Sequence, residues 1–478
     1  MSEGILDLID EGSFLPRNDP IGTSDRLGFP GYAQQLSDLD DADGDGAVQT
    51  GSATLARFDI ELAAFDFTFF GGSMGEIAGE RLARAMERAA ERGVPFVLHT
   101  KTGGARMQEG MRALIQMPKV VAARLTLAAA GQPMIGVLGH PTTGGVLASL
   151  AALSDVTVAE AGATIGFAGP RVAESFMGKS LSDNSHRAES ALAFGLVDEV
   201  VESDELQEHL ATVLMTLAKD QPRTVEDVPA AEGPKFIDAW EVVTAARSSK
   251  RPLNHELLLE AVDTMVVLRG DRAGREDPAL DTAIVRIAGR RACVLALDRE
   301  RAPGPGAYRK AQRVLDIAER LRIPVVTLID TRGADPSEDS EAGGIAWEIA
   351  QLFRAMLEAQ VPTLAILTGE GGSGGALAFG CTDVLLAYEQ SFFSVIGPEL
   401  AAEILWRDSE RAREAARTLC LTAHDLLDLE IADGLLPEPL DAGSLRAAIA
   451  YHLDRLQQDP GDRAATRQRR WRNTYGDR

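Results

Sequence analysis

Along this chain, short apolar blocks alternate with stretches whose apolar residues recur at helical spacing. The runs after Pro95, "FVLHT", and after Pro324, "VVTLID", read as buried strands. The stretches before those prolines, "GERLARAMERAAERGVP" and "AYRKAQRVLDIAERLRIP", place Leu, Ala, Met and Val on one helical face and charges on the other. Strands alternating with amphipathic helices predict an α/β fold with mainly parallel pairing.

The same pattern occurs twice. "GVPFVLHTKTGGARMQEG" parallels "RIPVVTLIDTRGADPSED". "GQPMIGVLGHPTTGGVLASLAALSDVTVAEAGATIGFAGPRV" parallels "QVPTLAILTGEGGSGGALAFGCTDVLLAYEQSFFSVIGPELA". Pro95 to Pro133 spans 38 positions, and so does Pro324 to Pro362. The spacing predicts two copies of one unit. Between them, "AKDQPRTVEDVPAAEGPKF" is rich in proline and charge. The expected division is a first domain over 1–218, a linker over 219–250, a second domain over 251–458 and a solvated basic tail over 459–478.

Composition narrows the function. At about 100–200 residues per domain, 478 residues leave room for two full cores. A net charge of −24 disfavours nucleic-acid partners. No apolar run reaches the roughly 18–20 residues of a membrane span, and the first twenty residues lack a basic-then-apolar signal pattern. The expected compartment is therefore the cytoplasm. Cys293, Cys381 and Cys420 are far apart, which argues against a disulfide framework or a cysteine-rich zinc site.

The glycine loops carry the chemistry. Gly103-Gly104 and Gly144-Gly145 in the first half recur as Gly333 and Gly374-Gly375 in the second. A glycine at a strand–helix joint lets an oxygen approach free backbone N–H groups, as in an oxyanion hole. Two such sites would stabilise two oxyanions. Other motifs are weaker. Asp41, Asp43, Asp45 and Gly46 open like an EF-hand loop, but Ser52 stands where its bidentate glutamate should be. Gly71, Gly72 and Gly75 match the dinucleotide fingerprint only loosely. Arg106 and Glu109 are spaced to pair across one helical turn. His99 and His140 end strands near the loops, without the serine and aspartate of a triad.

The motifs "GGARMQEG", "HPTTGGVLAS", "IGFAGPRV" and "FFGGSMG" resemble the β subunit of bacterial acetyl-CoA carboxylase carboxyltransferase. "GAYRKAQR", "PVVTLIDTRGA", "GEGGSGGALAFG", "FSVIGPE" and "EILW" resemble its α subunit. The resemblance covers almost the whole chain, β before α. It implies two tandem crotonase-fold domains, each with a ββα-type spiral core. It also implies carboxyl transfer from carboxybiotin on a carrier protein to acetyl-CoA or a related acyl-CoA, through an enolate. The thioester hole then falls on Gly103, Gly104, Gly144 and Gly145, and the biotin hole on Gly333, Ala334, Gly374 and Gly375. Lys101 and Arg106 are the candidate cations for CoA, with Lys119 a further surface candidate. Phe167, Ala168 and Gly169 are candidates for the acyl pocket.

Neither an ATP-grasp pattern nor a biotinylation motif is found in the sequence. Biotin carboxylase and biotin carboxyl carrier protein are therefore expected as separate partners. The family builds its sites where a first half meets a second half of another chain, so a homodimer or larger homo-oligomer is expected. Three departures from the family pattern fall on the second half: a shortened loop after "LDRERAPGPGAYRKA", Arg332 in "DTRGA", and "EAGG" at 341–344. The family's four-cysteine zinc ribbon has no counterpart before Cys293, so no zinc is expected. The alternative is a biotin-independent decarboxylase of a malonyl thioester on the same fold.

Overall fold

A computed structural model describes residues 8–18, 22–38, 46–224, 228, 238–458 and 461–473. The acidic loop weighed for calcium, Asp41 to Asp45, lies outside them. The chain forms two compact units, residues 1–215 with 272–274, and residues 216–271 with 275–478.

The first unit is built on an eight-stranded sheet. In chain order the strands are β1 (Leu15–Pro16), β2 (Val48–Leu55), β3 (Phe58–Phe65), β4 (Phe96–Thr102), β5 (Met134–Thr143), β6 (Val156–Glu160), β7 (Ile165–Gly166) and β8 (Glu199–Val201). Their spatial order is β1-β2-β3-β4-β5-β6-β8, with β7 on the end of β5. A two-residue turn joins β2 to β3 through Ala56 and Arg57, both at positive φ, a conformation that matches the twist of an antiparallel hairpin. From β3 onward the pairing is parallel. The sheet is thus mixed, with a hairpin leading into the expected parallel part.

Its helices include α1 (Tyr32–Asp38), α2 (Glu76–Arg92), α3 (Gln116–Ala129), α4 (Gly144–Ser149) and α5 (Pro170–Met177). The apolar stripe of α2, including Leu82, Met86 and Ala89, is buried in the core with Phe96 and Leu98 of β4. Each large side chain so buried contributes about 1.5–3 kcal/mol. Gly93 in the left-handed conformation ends α2 and donates to the carbonyls of Ala89 and Ala90.

The second unit repeats the plan with β9 (Thr264–Val267), β10 (Leu280–Ile287), β11 (Arg290–Leu297), β12 (Val325–Thr331), β13 (Thr363–Gly372), β14 (Val384–Tyr388), β15 (Phe392–Ser394) and β16 (Gly434–Leu436). Again a two-residue turn at positive φ, Ala288-Gly289, closes the hairpin β10–β11. All seven residues of β12 are buried, as both faces of a parallel strand should be. Its helices include α6 (Ala239–Ala246), α7 (Pro305–Leu321), α8 (Ile345–Glu358), α9 (Ser373–Gly380), α10 (Pro398–Trp406), α11 (Ala442–Gln457) and α12 (Arg463–Asn473). From α2 to the start of α4, each position has its counterpart 229 residues later. Thr102 and Thr331 end β4 and β12, and 331 − 102 = 229.

Two expectations are corrected. The segment 219–250 is not all linker: α6 buries Val242 and Val243 against Phe392 and Leu421. The basic tail is not simply solvated. Arg467 of α12 is buried, donates to Asp383 at 2.9 and 3.0 Å, and reaches the carbonyls of Met356 and Ala359 at 2.7 and 2.8 Å. A guanidinium whose donors meet a carboxylate and carbonyls near a helix C-terminus is held in the interior. Among the described residues no helix is long and apolar enough to cross a membrane.

Candidate active site

The two strand–helix joints of the first unit press together. β4 and β5 run parallel until a register shift after Thr100, beyond which Thr102 faces Thr142. Gly104, at φ +109°, and Gly144, at φ +67°, then meet backbone to backbone. A Cβ on Gly104 would lie 3.0 Å from the Cα of Gly144, and one on Gly144 would lie 2.8 Å from the Cα of Gly104. No side chain fits between the loops.

The hydrogen bonds decide which amides are available. The Gly103 amide donates to Gly71 O at 2.8 Å, the Gly104 amide to Thr102 Oγ1 at 3.0 Å, and the Gly144 amide to Phe167 O at 3.0 Å. Among the described residues no acceptor takes the amides of Ala105 and Gly145. Gly145 lies in the first turn of α4, where N–H groups have no partner within the helix. Of the four glycines marked in the sequence, only Gly145 keeps a free donor. Ala105, which the sequence reading passed over, supplies the second.

The second unit repeats this geometry with one shift. Gly333, at φ +120°, donates to Thr331 Oγ1 at 3.3 Å, as Gly104 does to Thr102. The counterpart of Gly144 is Ser373, also at positive φ, so Gly145 corresponds to Gly374 and not to Gly375. Gly372 is required because a Cβ there would lie 2.1 Å from Arg332 O. Among the described residues the amides of Ala334 and Gly374 have no acceptor. A Cβ on Gly374 would meet nothing within 4 Å, so this residue borders open space. Arg332 is exposed beside the loop.

The charged candidates divide. Arg106 is fully buried. It donates to Ser73 O at 2.8 Å and to Glu109 Oε1 at 3.1 Å, and lies 5.3 Å from the Phe69 and Phe70 ring centres. Tyr32 of α1 donates to the same Glu109 oxygen at 2.8 Å. Arg106 therefore anchors the loop from within and does not face a CoA phosphate. Lys101 is partly exposed, with its Nζ 3.6 Å from Glu160 Oε1, and His99 Nε2 lies 2.9 Å from that oxygen. Burial opposes ionisation of Glu160, but His99 and Lys101 outweigh it and hold its pKa below the ordinary carboxylate value. Lys119 pairs with Glu80.

Phe167 is 72% exposed, and its ring lines a cavity of about 260 Å³ with Leu138, Leu147, Ile165 and Phe194. Ala168 and Gly169 are half-buried at the start of α5. Exposed apolar side chains include Met107, Met111, Val172 and Phe176 in the first unit, and Trp347, Val395, Leu400 and Ile404 in the second. His255, Asp281 and Asp298 bring possible ligand atoms within 4.8 Å of one another, a grouping that sequence spacing does not reveal. His255 Nδ1 is already paired with Asp298 Oδ2 at 2.8 Å.

The fold is shared with transcarboxylase 12S, a hexamer solved with methylmalonyl-coenzyme A. The TM-score is 0.78 at 25% identity, covering 96% of this chain and 89% of that one. A single-chain, multi-domain long-chain acyl-CoA carboxylase matches at a TM-score of 0.73 and 21% identity, over 95% of this chain and 46% of that one. Fold and paired loop–helix joints together define a crotonase-fold protein of the carboxyltransferase class. Residues 229–472 match the family described as acetyl co-enzyme A carboxylase carboxyltransferase-like. The chain is 38% identical to the acetyl-coenzyme A carboxylase carboxyl transferase subunits beta/alpha of Salinispora tropica, over 99% of this chain and 90% of the relative. It is 35% identical to the probable biotin-dependent acyl-coenzyme A carboxylase beta3 subunit of Mycobacterium bovis, over 97% and 96%. The chain belongs to the acetyl-CoA carboxylase carboxyltransferase family.

Proposed function

We propose that this chain moves a carboxyl group from carboxybiotin on a carrier protein to the α-carbon of acetyl-CoA or a related acyl-CoA. The observation that carries the reading is the two pairs of amides without acceptors, Ala105 with Gly145 and Ala334 with Gly374. Preorganised N–H donors are worth most where negative charge develops away from water. We assign the first pair to the thioester oxygen as it becomes an enolate. The cavity beside Phe167 and the half-exposed Lys101 lie in the same unit and suit the acyl-CoA.

We assign the second pair to biotin. Its two free donors and the open space at Gly374 fit a flat ureido oxygen. When bound, carboxybiotin supplies the carboxyl group and takes up the α-proton as its C–N bond gives way to the new C–C bond. The chain's own residues then have two tasks, holding each oxygen on its amides and excluding water.

Both units expose large apolar side chains to solvent. We propose that they pack against a second copy, first unit to second unit, and that a separate biotin carrier and biotin carboxylase complete the system. The test is to incubate the chain with malonyl-CoA and free biotin and to quantify products by mass spectrometry. Equal amounts of acetyl-CoA and carboxybiotin are expected. Acetyl-CoA formed at the same rate without biotin would instead identify a decarboxylase. A monodisperse monomer at micromolar concentration would contradict the assembly.

A further inference from the structure

Tyr308 sits in the first turn of α7, fully buried, with its ring 5.6 Å from that of Phe379. Its hydroxyl has no hydrogen-bond partner among the described residues. Leaving a buried hydroxyl unpaired costs about 1–3 kcal/mol, and nearly all buried polar groups avoid it. The hydroxyl is aimed at the second loop–helix joint. A Cβ on Gly375 would lie 2.7 Å from Tyr308 Oη and 3.0 Å from the nitrogen of Ala334. An unpaired phenol and an unpaired amide thus flank one point, with the amide of Gly374 next to it in sequence. The neighbouring carboxylate, Asp277, is occupied by the amides of Gly304, Ala307 and Ala279. Burial, and then the Asp277 charge, push the phenol's pKa up, so it remains an O–H donor throughout the working range.

Among the described residues the first unit has no phenol at the matching position. The counterpart of Tyr308, 229 residues earlier, is Gly79, where a Cβ would lie 2.5 Å from Gln116 Oε1. The two sites share their amides and differ in this donor.

We propose that the Tyr308 hydroxyl is a third hydrogen-bond donor of the second site, donating to the oxygen held by the amides of Ala334 and Gly374. This rests on the assignment of that site to the biotin ureido oxygen. The hydroxyl is shielded from solvent in this structure, so the bond forms as the oxygen enters between loop and helix. It also gives Gly375 its purpose, which is to leave room for the phenol and not to donate an amide.

The experiment is Tyr308→Phe in the full chain, with malonyl-CoA and free biotin as probes. The expected result is a fall of at least about tenfold in kcat for biotin-dependent carboxyl loss, in line with the removal of an oxyanion donor. KM for malonyl-CoA should be unchanged, and the melting temperature unchanged or raised, because an unsatisfied group has been removed. A change below tenfold overturns the proposal. So does a rate loss accompanied by a lower melting temperature, which marks a structural role. Absence of biotin-dependent turnover in the wild-type chain overturns the functional reading and this inference with it. An active wild type with an equally active variant overturns only the inference.

Discussion

Gly104 and Gly144 touch through their backbones: a methyl on either would fall within 3.0 Å of the other's Cα. The contact brings the end of β4 against the start of α4 and so sets the distance between the amides of Ala105 and Gly145. Gly104→Ala adds both a clash and a positive φ that alanine disfavours. We expect a loss of at least about 2 kcal/mol in unfolding free energy, together with loss of turnover. Gly93→Ala is the control, since Gly93 also has positive φ but nothing within 4 Å. It should cost about 1 kcal/mol and leave the rate unchanged. Urea unfolding and steady-state turnover of the two variants check this.

The buried Arg106–Glu109 pair supports a second prediction. Arg106→Ala leaves a carboxylate in the interior without its countercharge, which costs about 3–5 kcal/mol. Tyr32→Phe removes one hydrogen bond to the same carboxylate and should cost about 2 kcal/mol. Both appear as lower urea midpoints. A stable Arg106→Ala with only a raised KM for acyl-CoA would restore the arginine to the substrate site.

A third prediction concerns pH. Burial, and then Arg455, hold the pKa of His452 in α11 down to about 4 from its usual 6.5. Between those values the unfolded chain binds a proton that the folded chain does not. The contribution of this group to stability is therefore present above pH 6.5 and is lost as pH falls toward 4. Thermal midpoints of wild type and His452→Gln across this range check it. The decline with falling pH should be shallower in the variant, and parallel curves would contradict the assignment.

Much of the fold is legible in the sequence because it depends on local pattern. The proline-framed strands, the amphipathic stretches before Pro95 and Pro324, and the repeat all follow from residues near one another. The glycine loops are legible for the same reason. Which amides remain free is not, since this depends on distant acceptors such as Gly71 O and Phe167 O. Matching glycine pair to glycine pair also misleads by one residue. Ser373 adopts the positive φ of Gly144, so the backbone aligns Gly145 with Gly374. Spacing pairs Arg106 with Glu109, but only the packing of Tyr32, Phe69 and Phe70 around the guanidinium reveals that the pair is an internal anchor.

The most direct test of the account is the single-turnover rate of Gly145→Pro with malonyl-CoA and biotin. Proline is tolerated in the first turn of a helix, where its missing N–H breaks no helical bond. A Cβ at position 145 would meet the flexible end of Met117, whose sulfur lies 3.1 Å from it. The substitution removes one of the two amides assigned to the thioester. The account predicts an unchanged melting temperature and a rate lower by about 100-fold or more. A folded variant that turns over as fast as the wild type would contradict it.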